Sequence, residues 1–68
     1  MAALQDMITA AQSDPDAARQ LLGVFTVFSR RETFVQQTCR ELIRAGVPEQ
    51  FLPDDDEITA GTWQAGPT

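Results

Sequence analysis

Three features of this 68-residue chain have the residue types that chemistry needs: the run Asp54-Asp55-Asp56-Glu57, the single cysteine Cys39 and the single tryptophan Trp63. The acidic run suggests a calcium loop by composition alone. An EF-hand loop requires alternating oxygen ligands, Gly at its sixth position and Glu at its twelfth. Counted from Asp54 those positions hold Thr59 and Ala65, and counted from Asp56 they hold Gly61 and Pro67, with Ile58 where a ligand belongs. The run therefore reads as a solvating stretch. Carboxylate pairs for acid–base work exist only at Asp14/Asp16 and within Asp54–Glu57, at a helix cap and in a polar segment, where no burial tunes a pKa. Cys39 has Arg40 beside it, but the chain contains no His and no second Cys. Ser-His and Cys-His nucleophiles, structural zinc sites of cysteine and histidine, and disulfides are thereby excluded within the chain. Cys39 is expected to be a small core residue. The expectation is a protein that is not an enzyme, with no cofactor and no metal.

The charge is unevenly placed. Residues 1–46 carry five acids and five bases, whereas residues 47–68 carry five acids and no base, so the net charge of −5 belongs to the last third. A polyanion is repelled by that field, and no nucleic-acid partner is expected. Four of the five Arg fall between Arg30 and Arg44, a spacing read as a solvated helix face. No apolar run approaches a membrane span and no basic-then-apolar leader opens the chain. With a lone Cys and no membrane segment, a cytoplasmic location is expected.

The elements that position these residues read as helices. Leu4, Met7, Ile8 and Ala11 recur at i, i+3, i+4 and i+7, which predicts a first helix over about 2–12. Ser13-Asp14-Pro15 stops it and starts a second, with Asp14 (or Ser13) as the cap and Pro15 at the first helical position. From Pro15 to Ala45 two readings are open. One divides the stretch into helices over 15–28 and 30–45, with Ser29-Arg30-Arg31-Glu32 forming a capping box. The other keeps one helix over 15–45 in a coiled-coil dimer, its seam Leu21, Phe25, Phe28, Glu32, Val35, Cys39 and Leu42. The break is favoured, because Glu32 suits a cap better than a seam. Gly46 and Pro48 end the last helix, and a short helical turn near 48–52 returns Val47, Phe51 and Leu52 onto it. The fold class expected is all-α, a small bundle or hairpin of three helices. It occupies a domain over 1–52, followed by an extended, flexible acidic tail over 53–68.

A helical wheel of the second helix spreads Val27, Val24, Phe28, Leu21, Phe25 and Leu22 over about 220 degrees, far wider than one buried stripe. With so few helices available, part of that face is expected to meet another chain. The partner-contacting candidates are Leu21, Val24, Phe25, Val27, Phe28 and Phe34, with Ile58 and Trp63 of the tail as a second docking element. The alternative for Trp63 is a return onto the head, with the acidic run resting on Arg40 and Arg44. The function expected is a non-catalytic protein-interaction module, an accessory, assembly or chaperone-like subunit acting as a homodimer or in an obligate hetero-complex. Two further classes fit less well. One is a precursor whose head is gripped by an enzyme acting on the tail, and the other an acidic inhibitor imitating nucleic acid.

Overall fold

The computed structural model describes residues 4–63. They form four α-helices, α1 (Leu4–Ala11), α2 (Pro15–Thr26), α3 (Glu32–Arg44) and α4 (Asp55–Ala60), with a 3-10 turn over Glu49–Phe51 before α4. The described residues are all-α and form a small bundle. The expected disorder of residues 64–68 and the expected start of α1 at Ala2 lie outside the described residues.

The first corner is built from the residues that announce it. The Asp14 backbone is extended (φ −131°), and its Oδ1 accepts from the Asp16 amide at 3.0 Å, which satisfies a first-turn donor. Pro15 at the start of α2 needs no amide partner. α1 packs on α2, with Ala11, Ala18, Leu21 and Leu22 completely buried between the elements. The Thr26 hydroxyl, also buried, donates to the Gly23 carbonyl at 3.2 Å.

α2 and α3 are separate helices, which settles the choice between a broken and a continuous chain. The capping box expected at Ser29 and Glu32 does not form. Arg31 is the N-cap residue and lacks a side-chain cap bond, while the Ser29 hydroxyl accepts from the Arg31 amide at 3.2 Å. With the helix starting at Glu32, that carboxylate sits one position past the cap instead of three, and cannot reach back. It accepts instead from Thr59 of α4 and from Gln36.

Gly46 closes α3 with φ +108°, a backbone that L-residues rarely adopt. The Gln12 side chain donates to the Ala45 carbonyl at 3.0 Å and ties the end of α1 to the end of α3. Val47, Leu52 and Pro53 then turn back into the core.

Beyond Leu52 the structure differs from the expected extended tail. Asp54 caps α4, its Oδ1 accepting from the Glu57 amide at 2.8 Å while Glu57 Oε1 accepts from the Asp54 amide at 3.3 Å. Among the described residues the capping box is Asp54-x-x-Glu57. The remaining acids lie in the first turn, where the helix dipole favours negative charge. Gly61 (φ +71°) ends the helix. Ile58 and Trp63 are both buried in the main core, so the packed unit runs past 52 to Trp63. α4 lies antiparallel to α3. Asp55 stands 3.9 Å from Arg40, Thr59 meets Glu32, and Trp63 meets Arg30 just before the start of α3.

Candidate interaction surface

The eight candidate contact residues divide into three groups. Leu21, Ile58 and Trp63 are core residues and present nothing to a partner. Phe25 and Phe34 are half-buried. Val24 is 44% exposed, and Val27 and Phe28 are each 79% exposed. For Ile58 and Trp63 the return onto the head is the outcome, and only half of its expected electrostatics appear. Arg40 faces Asp55, whereas Arg44 pairs with Glu41 at 3.7 Å on its own helix.

The remaining five candidates gather at one corner, where α2 ends and α3 begins. The wide apolar wheel of α2 explains this. Leu21 and Leu22 use the inward part of the face, while Val24 near the end of α2 and Val27 and Phe28 in the turn that follows it stand exposed. Next to them lies an apolar groove of about 290 Å³, walled by Ile8 of α1, Phe25 of α2, and Phe34 and Leu42 of α3. It follows α3 from Phe34 to Ala45, about 16 Å at 1.5 Å per residue. Its polar rim is Gln37, Thr38 and Glu41. Gln37 donates to Glu41 at 3.0 Å, and the Thr38 hydroxyl donates to the Phe34 carbonyl at 2.8 Å. Ile8, Leu42 and Ala45 were not among the candidates. The first two belong to the apolar stripes of their helices, which the sequence reading assigned wholly to the core, and Ala45 is too small to signal a lining position.

The corner carries positive charge. Arg30 lies over the Trp63 ring, 4.4 Å from its centroid. Arg31 is exposed, and among the described residues no carboxylate stands within ion-pair distance of it.

A second hollow, about 570 Å³, opens on the opposite face of α3 between Gln36, Cys39, Arg40, the 3-10 turn and the start of α4. Its chemistry is limited. Burial, and after it the Asp55 carboxylate, pushes the Cys39 thiol from 9.0 up to about 11, away from the thiolate that a nucleophile or ligand requires. Among the described residues no group of three His, Cys, Asp or Glu side chains converges as a metal site needs, and no buried side-chain polar atom lacks a partner. No helix of the described residues is long and apolar enough to cross a membrane.

Comparison with protein-family models, with curated proteins and with solved structures finds no match to this chain.

Proposed function

We propose that this chain is a non-catalytic protein-interaction module, an accessory or assembly subunit whose contact surface is the α2–α3 corner and its groove. The observation that carries this is the exposure of Val27 and Phe28, 79% each, beside a recess lined by Phe25 and Phe34. Apolar surface left in water costs about 25 cal/mol per Å², and a large patch bordered by polar residues marks a docking site. Ile58 and Trp63 belong to the scaffold in this reading and have no docking role of their own. Their place in the core also weakens the precursor alternative, since an enzyme acting on the tail would have to pull that segment out of the fold first. A cytoplasmic setting suits a chain with one buried thiol.

The test is capture from the native host with the tagged full chain and with its Phe28→Glu variant, followed by mass spectrometry of prey and bait. A partner at fixed stoichiometry, lost in Phe28→Glu and accompanied by an unmodified bait mass, is the expected result. A bait cleaved or modified after Leu52, or a prey indifferent to Phe28, would overturn the reading.

A further inference from the structure

Resting on that contact surface, we propose that its occupant is a second copy of this chain, with Phe28 of each copy seated in the groove of the other across a two-fold axis. A projection and a recess lie side by side on this surface. Phe28 follows the groove residue Phe25 by one helical turn, and its amide donates to the Phe25 carbonyl at 3.1 Å. A surface with an exposed aromatic next to an aromatic-lined recess is self-complementary, and two-fold symmetry uses both features twice. A foreign helix in the groove would leave Phe28 and Val27 to be covered separately.

Charge also favours a second copy. Arg31 lies three residues beyond Phe28 and has no described carboxylate partner. Glu41 stands exposed on the groove rim, where it accepts from Gln37 and lies 3.7 Å from Arg44 of its own helix, a solvent-exposed pair weak enough for a second arginine to join or replace. Seating Phe28 in the opposite groove carries its Arg31 to that rim, so the pair Arg31–Glu41 is formed twice. Arg30 stays on Trp63 and is not needed.

The net charge of −5 opposes self-association unless the acidic runs are kept apart. Gln36, Cys39, Arg40 and Ile43 line the hollow beside α4, while Phe34, Thr38 and Glu41 line the groove. At 100 degrees per residue these two sets face opposite sides of α3. Asp54, Asp55 and Glu57, which line that hollow, thus lie on the side of α3 turned away from the groove, and two copies joined through their grooves hold these carboxylates apart.

The experiment is sedimentation equilibrium on the purified full chain from micromolar to millimolar concentration, with circular dichroism as a check on folding. Wild type is expected to be a reversible dimer and Phe28→Glu a folded monomer. Arg31→Glu and Glu41→Arg should each weaken dimerisation by roughly tenfold, because symmetry repeats the pair, and the double variant should recover most of the loss. The charge pair keeps the proposal testable even where Phe28→Glu fails to fold. A wild-type monomer throughout overturns the second copy, and if Phe28→Glu still abolishes capture of another protein, the contact-surface reading survives without it. A dimer indifferent to Phe28→Glu, or a double variant no better than the single ones, also overturns the proposal.

Discussion

Arg30 lies with its guanidinium 4.4 Å from the centroid of the Trp63 ring, joining the connection between α2 and α3 to the residue that closes the core after α4. Trp63 is only 7% exposed, so its ring has an apolar face against the core and the other face under a cation. The two parts of this contact differ in weight. Trp63→Ala is expected to cost about 3–5 kcal/mol, the range for removing a buried large aromatic. Arg30→Ala should cost about 1 kcal/mol or less, as for an exposed cation–π pair. Urea unfolding followed by far-ultraviolet circular dichroism measures both. Equal midpoints for wild type and Trp63→Ala would mean that the ring is not part of the core.

The Asp54–Glu57 capping box starts a helix of six residues, too short to persist by propensity. Asp54→Ala should therefore destabilise the protein by about 1 kcal/mol, whereas Asp54→Ser should be close to neutral. Amide exchange over α4 should accelerate in Asp54→Ala more than exchange within α2. Uniform acceleration across the chain would show that α4 does not open separately.

Cys39 makes stability depend on pH in the alkaline range. The fold holds its thiol proton up to about 11 against 9.0 for the ordinary group, so the folded state binds more protons between those values. The stabilisation linked to the neutral thiol is complete below about 9 and is lost as pH rises toward 11. The chain has no Lys and no Tyr to titrate in that window, which leaves the slope assignable to Cys39. Urea midpoints should fall across that window in wild type and stay flatter in Cys39→Ala. At pH 8 a maleimide should label the native protein far more slowly than the unfolded one.

Gly46 and Gly61 both adopt positive φ but differ in surroundings. A Cβ on Gly46 would come within 2.7 Å of the Gln12 side-chain nitrogen, whereas one on Gly61 would meet nothing within 4 Å. Gly61→Ala should cost about 1 kcal/mol from backbone strain alone. Gly46→Ala should cost about 2 kcal/mol or more, because it also displaces the amide that holds the Ala45 carbonyl. Thermal unfolding of the two variants side by side checks the order, and reversal of that order would show that Gln12 yields freely.

Helix limits were legible wherever a residue has only one good place to be. Pro15 and Asp14 at the start of α2 and Gly46 at the end of α3 follow from backbone chemistry that tertiary structure rarely overrides, whereas the break near Ser29 is present without the capping box on which its expectation rested. The seam Leu21, Val35, Cys39 and Leu42 was also legible as apolar positions, and all four are buried. Phe28 belongs to the same arithmetic series and yet points to solvent, because the chain leaves the helix after Thr26 and the register is lost. α4 was missed for a different reason. Counting Asp54, Asp55, Asp56 and Glu57 as charge hides that Asp-x-x-Glu is also a helix start. Ile58 and Trp63 are too few for a periodic signal, so their burial shows only when α3 is there to receive them. The contact corner was half legible: the excess width of the α2 wheel marked it, while the groove depends on how α1 and α3 meet.

The antiparallel return of α4 sets an order of events during synthesis. Among the described residues Ile58 and Trp63 are the last core residues to be made, so the side of α3 that α4 covers cannot be closed until residue 63 has been added. The packed core is therefore completed by the end of the described chain and not by its first three helices.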